Sequence, residues 1–104
     1  MSLEERLKAE IAKHKVLIYM KGTPDEPRCG FSAQAVSVLK AMGQPFAFVD
    51  VLTEPEVRAT LPKVSNWPTF PQIFVNGELV GGCDILLSLY ESGELKELLT
   101  NLGE

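Results

Sequence analysis

Polar and apolar residues alternate along this chain in two distinct rhythms. Leu3, Leu7 and Ile11 recur every four residues, which predicts an amphipathic helix closing near His14, with Ser2 and Glu5 forming a capping box at its start. Val16-Leu17-Ile18-Tyr19-Met20 is an unbroken apolar run and reads as a buried strand. Helical spacing returns with Ala35, Val36, Val38, Leu39 and Met42, and Gly43 is a natural stop. Phe46 to Val51 predicts a second strand. Thr53 and Glu56 read as caps of a short helix, with Pro55 in its first turn and an end near Leu61-Pro62. Gln72–Val75 and Glu78–Val80 read as strands joined by Asn76-Gly77, the strongest two-residue hairpin signal. Asp84 is placed to cap a helix reaching Ser92 and ended by Gly93. A last helix over 94–102 puts Leu95, Leu98, Leu99 and Leu102 on one face.

The order α-β-α-β-α-β-β-α-α predicts one domain over residues 1–104. Its fold class is α/β, a thioredoxin-like three-layer arrangement with a four-stranded mixed sheet flanked by helices. Strand–helix–strand units imply right-handed parallel crossovers, and the final hairpin is antiparallel. If 16–20 and 46–51 run parallel and 72–75 runs opposite to them, four separate segments reach one sheet edge. Lys21 follows the first strand, and the helix with Arg58 follows the second. Trp67-Pro-Thr-Phe-Pro71 precedes the third, and Gly81-Gly-Cys-Asp84 follows the fourth. Strand-end crevices of this kind are common ligand sites in α/β sheets.

The net charge of −4 argues against nucleic-acid binding, which needs a basic excess, and no apolar run approaches a membrane span. Apolar content of 45% and charged content of 23% are ordinary for a soluble globular protein. The N-terminus is acidic early and has no apolar core of a signal peptide, so its two cysteines point to a reducing compartment and to chemistry. The cytoplasm is expected. A removed transit peptide leaves no trace, so an organelle matrix stays open. Cys29 falls where a loop stiffened by Pro24 and Pro27 enters a helix, next to Arg28. Such a position favours a thiolate, so a reactive thiol of lowered pKa is expected.

Lys21-Gly-Thr-Pro, Pro27-Arg-Cys29-Gly-Phe-Ser32, Trp67-Pro-Thr-Phe-Pro-Gln72 and Gly81-Gly-Cys-Asp84 together resemble the monothiol, CGFS-type glutaredoxins, close to their short single-domain bacterial type. The resemblance covers nearly the whole chain, in order and spacing. It implies glutathione binding and a [2Fe-2S] cluster held between two subunits. It also implies cluster delivery to apo iron–sulfur proteins and pairing with BolA-type proteins. Cys29 is then the redox-active and cluster-ligating residue. Such a centre takes about four thiolates, so two Cys29 and two glutathiones complete the set in a homodimer. Lys21 and Arg58 are implied to hold the glycine carboxylate of glutathione. The backbone of Phe70, next to a cis bond to Pro71, is implied to pair with the cysteinyl unit. The turn at Cys83 is implied to bind the γ-glutamyl carboxylate, and Asp84 its ammonium group. Cys83 is a backbone contact or a resolving thiol for Cys29, and its position is a serine in many relatives.

Each residue also has a plainer reading. Lys21 and Arg58 are ordinary solvated cations, Asp84 an N-cap, Pro71 a turn, Trp67 a packing residue and His14 a helix-end residue. Ser32 stands where a second thiol would complete C-x-x-C, so Cys29 needs an external partner. Three functions follow: a glutathione-ligated cluster carrier, a glutathione-dependent thiol–disulfide oxidoreductase, and an adaptor with an incidental thiol. Ser32 and the five-residue stretch Thr23–Pro27 favour the first, with weak disulfide reductase activity expected beside it.

Overall fold

The first helix, α1 (Leu3–Lys13), begins with the expected capping box, in which the Glu5 N–H donates to Ser2 Oγ at 3.1 Å. This computed structural model describes residues 2–100 and Leu102. Strand β1 (Val16–Met20) pairs in parallel with β2 (Ala47–Asp50) and antiparallel with β3 (Gln72–Val75), and β3 pairs antiparallel with β4 (Glu78–Gly81). The sheet order is β2-β1-β3-β4. Asn76 and Gly77 both have positive φ, as the tight hairpin between β3 and β4 requires.

All five residues of β1 are buried because it is an inner strand covered on both faces. Its side chains alternate between two cores. Leu17 and Tyr19 join Leu7, Ile11, Val57, Leu61 and Phe74 beneath α1 and α3 (Pro55–Ser65). Val16, Ile18 and Met20 face α2 (Gly30–Ala41), α4 (Cys83–Ser92) and α5 (Glu94–Thr100), meeting Leu39, Ile73, Leu86 and Leu95. Each such buried aliphatic side chain contributes about 1.5–3 kcal/mol. Two rigid helical layers therefore hold the strand ends in place. Burial and a hydrogen bond to Glu10 raise the pKa of the Tyr19 phenol, which ties α1 to the sheet. Among the described residues, no helix is long and apolar enough to cross a membrane.

Several local expectations are corrected. Thr53 does not cap α3; its hydroxyl donates to the Asp50 carbonyl at 3.0 Å, and Glu54 occupies the N-cap position without a side-chain bond. Pro62 does not end α3. The helix continues to Ser65 and closes on Asn66 at φ 56. A proline there removes the bond to the Arg58 carbonyl and crowds that carbonyl, yet the helix runs on for three more residues. Buried Leu61 anchors the turn, Ser65 Oγ donates to the Leu61 carbonyl, and Trp67 N–H donates to the Pro62 carbonyl. Asp84 caps nothing through its side chain, because Gly82 is the N-cap of α4 and Asp84 lies inside the first turn. Leu98 is exposed on the short α5, while Leu95 and Leu99 face the core. Asn101, within the expected last helix, lies outside the described residues.

Candidate functional site

Where β1 ends, the chain turns at Gly22 (φ 92) and doubles back on itself. Thr23 and Glu26 exchange backbone hydrogen bonds of 3.2 and 3.1 Å, Gly22 bridges Pro27, and the Arg28 N–H donates to the Lys21 carbonyl at 2.9 Å. The stretch 23–27 is thus a closed miniature hairpin. It delivers Cys29, in extended conformation, to the N-cap position of α2.

The Cys29 side chain makes no capping hydrogen bond. Its thiolate is what this position favours. The backbone N–H of Ser32 lowers the Cys29 pKa most. The Phe31 N–H, the Lys21 ammonium and the Ser32 side chain add to it against partial burial. Arg28 is not among these causes; its guanidinium lies 3.4 Å from Glu26 on the exposed side of the loop. Lys21, rather than Arg28, is the cation that acts on the sulfur. Ser32 is fully buried, and its Oγ accepts from the Lys21 N–H at 3.1 Å, so it ties the end of β1 to α2. Ser32→Ala is expected to move the pH midpoint of Cys29 alkylation upward, because it removes a group that favours the thiolate. It leaves the Lys21 N–H short of its acceptor, at about 1–3 kcal/mol of stability. Iodoacetamide kinetics against pH and urea unfolding measure the two effects.

Cys83, the first residue of α4, is the opposite case. Burial raises its pKa, helped by the charge of Asp84 and by Cys29, and its Sγ donates to Gln34 Oε1 at 3.4 Å. Both cysteines are free thiols, and the buried one is the less reactive.

The remaining wall is the turn before β3, with its cis Phe70–Pro71 bond. Fully buried Gln72 holds that turn, its Nε2 donating to the carbonyls of Trp67 at 2.9 Å and Thr69 at 3.2 Å. Gly82 makes the approach of α4 to this turn close. A Cβ there would stand 3.4 Å from both the Pro71 carbonyl oxygen and the Trp67 indole nitrogen. Together these segments enclose a cleft of about 580 Å³.

Lys21, Cys29, Arg58, Phe70, Cys83 and Asp84 all line this cleft. Thr69 and Pro71 do as well, whereas Arg28 and His14 do not. Trp67 is also on the wall, and its buried indole N–H has no partner. Phe31 and Ile85 supply exposed apolar surface at the cleft. Among the described residues, no group of three or more His, Cys, Asp or Glu side chains could hold a metal ion. The cleft therefore offers one accessible thiol, two cations and one carboxylate, an arrangement that suits a small ligand carrying both signs of charge.

The glutaredoxin family model matches residues 16–80, more than half of the chain. The chain belongs to the glutaredoxin family. It is 57% identical over 95 residues to Glutaredoxin 4 of Escherichia coli K12, covering 91% of this chain and 83% of that protein. Among solved structures, the reduced apo glutaredoxin GrxS14 of poplar is 46% identical with a TM-score of 0.79, covering 92% of this chain and 88% of that one. A buckwheat glutaredoxin, solved as its glutathione complex, shares the fold at 19% identity. Its TM-score is 0.84, with 96% of this chain and 89% of that one covered.

The anchoring roles of Ser32 and Gln72 in this glutaredoxin escape a reading of the sequence. Ser32 is legible there only as a missing second thiol. Gln72 shows one weak signal, an amide at the first position of an otherwise apolar strand.

Proposed function

We propose that this glutaredoxin binds glutathione in the cleft and, as a homodimer, carries a [2Fe-2S] cluster as cargo to apo iron–sulfur proteins. The supporting observation is a single activated thiol in a cleft also lined by two cations, Lys21 and Arg58, and by the N-terminus of α4 with Asp84. Lys21 and Arg58 take the glycine carboxylate of glutathione through charge-assisted contacts. The main chain at Phe70 pairs with the cysteinyl unit. The N-terminus of α4, at Cys83, takes the γ-glutamyl carboxylate, and Asp84 takes the ammonium group. Glutathione bound this way brings its sulfur towards Cys29.

One chain supplies one accessible thiolate, so the remaining donors of a cluster come from outside it. Two Cys29 and two glutathione sulfurs make the required set of about four. Exposed Phe31 and Ile85 line the same cleft as the thiol and suit contact with a second subunit or a BolA-type protein. Two free cysteines fit a reducing compartment, the cytoplasm.

The lowered Cys29 pKa favours a second activity at the same site. The thiolate attacks the glutathione sulfur of a mixed disulfide, and the protein thiolate leaves as Cys29 becomes glutathionylated. A second glutathione thiolate then attacks that sulfur, releasing glutathione disulfide and restoring Cys29.

Anaerobic incubation with iron, sulfide and glutathione tests the carrier reading. Visible absorption and circular dichroism are expected to show a chromophore that elutes with a dimer and disappears when glutathione is omitted. A colourless monomer under all conditions would leave the oxidoreductase as the function.

A further inference from the structure

Lys21 is held by its main chain at three points. Its N–H donates to Ser32 Oγ at 3.1 Å, and its carbonyl accepts from the Arg28 N–H at 2.9 Å. The following N–H, that of Gly22, donates to Asp50 Oδ1 at 2.9 Å. The first two partners lie in the loop and helix that carry Cys29. The third is the last residue of β2, on another segment. The same carboxylate oxygen accepts the Leu52 N–H at 2.9 Å, so one side chain joins the end of β1 to the chain leading into α3, which carries Arg58.

We infer that Asp50 is a positioning residue for ligand binding: it fixes the Lys21–Gly22 peptide and thereby the direction in which Lys21 presents its ammonium group to the cleft. The inference rests on the glutathione reading given above. The physical reason lies in Gly22. A glycine crosses between positive and negative φ at little cost, so the peptide that precedes it rotates readily unless something holds it. Gly22 is buried, and without Asp50 its N–H loses its acceptor away from water. Rotation of that peptide would relieve the loss only by straining the Arg28-to-Lys21 bond, and either response shifts the backbone from which the Lys21 side chain extends. Asp50 does not line the cleft, so it acts only through the main chain.

A geometric role and a charge role have opposite signatures. A carboxylate near an anion-binding cation opposes the anion, so neutralising a merely electrostatic Asp50 would tighten binding. Loss of a positioning acceptor weakens it. Asn keeps an acceptor oxygen of the same reach without charge, Glu keeps the charge but displaces the oxygen, and Ala removes both.

The test is titration of the full chain with reduced glutathione under anaerobic conditions, followed by amide NMR shifts, with melting curves on each variant. Asp50→Ala and Asp50→Glu are expected to weaken binding about tenfold, the scale of one well-placed charged contact. Asp50→Asn is expected to bind as the wild type does. In a Lys21→Ala background, the Asp50→Ala effect is expected to vanish, since the lysine it orients is gone. A general loss of fold would persist in the Lys21→Ala background, so an Asp50→Ala effect of unchanged size there overturns the positioning role. Should Asp50→Ala fail to fold, the comparison of Asp50→Glu with Asp50→Asn decides the matter. Unchanged or tighter binding by Asp50→Glu or a folded Asp50→Ala, or weakening by Asn equal to that by Ala, overturns the role of Asp50 alone. No saturable binding by the wild type overturns the glutathione reading and this inference with it.

Discussion

Replacing Cys29 by serine is expected to remove the chromophore formed with iron, sulfide and glutathione, and to reduce reaction with glutathione mixed disulfides to the uncatalysed background. A serine hydroxyl stays protonated at neutral pH and is a weak nucleophile without an adjacent base. Cys83 cannot substitute. It is 5% exposed, burial raises its pKa, and its thiol is engaged with Gln34. The fold itself should not suffer. Serine is a preferred N-cap residue and supplies an oxygen acceptor where the Cys29 side chain makes no capping hydrogen bond, so stability is expected to hold or to rise by up to about 1 kcal/mol. Loss of chemistry with retained stability separates the carrier and oxidoreductase readings from an adaptor with an incidental thiol. A Cys29→Ser protein that still forms the chromophore sinks the carrier reading, and one that still turns over a glutathionylated substrate sinks the oxidoreductase reading.

The second large effect is expected from Gly22→Ala, which inverts this pattern by damaging the scaffold while sparing every chemical group. Gly22 sits at φ 92, where an alanine is strained by roughly 1–2 kcal/mol. Its added Cβ would stand 2.5 Å from the Glu26 carbonyl oxygen and 2.6 Å from the Arg28 nitrogen. Both are backbone atoms, one in the miniature hairpin and one just after it, so no rotamer change relieves the contact. The hairpin must open, and the Arg28-to-Lys21 bond goes with it. The expected total is about 3 kcal/mol or more, in the range of exceptional single substitutions. Cys29 would also be released from its fixed place at the start of α2, raising its alkylation midpoint. Urea unfolding and alkylation kinetics read these two effects. A Gly22→Ala protein within about 0.5 kcal/mol of wild type, the size of an ordinary surface change, shows that the loop tolerates what its geometry forbids.

Much of the frame was legible in the sequence because burial imposes periodicity. β1 is covered on both faces, so its five residues are all apolar. Asn76-Gly77 marked the hairpin because two consecutive positive φ angles admit few residues. The parallel pairing of β1 with β2 and the edge at which the motif segments meet followed from element order and crossover handedness. Local chemistry was less legible. Thr53 and Asp84 have the composition of caps, but a cap is a hydrogen bond, and the surrounding chain directed Thr53 to Asp50 and gave the N-cap position of α4 to Gly82. Pro62 reads as a terminator until Leu61 is seen buried beneath it. Arg28 is next to Cys29 in sequence, yet its guanidinium pairs with Glu26 and the sulfur responds to Lys21.

The sequence alone determined which elements form, the thiol at a loop-to-helix junction, and the motif residues gathered at one sheet edge. These are short-range properties, set by side-chain period, by turn stereochemistry and by the order of strands and helices. The tertiary structure decided which groups act on one another. It set Lys21 against the sulfur, closed loop 23–27 into a hairpin, buried Ser32 and Gln72 as anchors, and brought Asp50 to the Gly22 amide from 28 residues away. Hydrogen bonds and ion pairs depend on distances of a few ångströms and on direction. Such distances arise only once two helical layers have closed on the sheet.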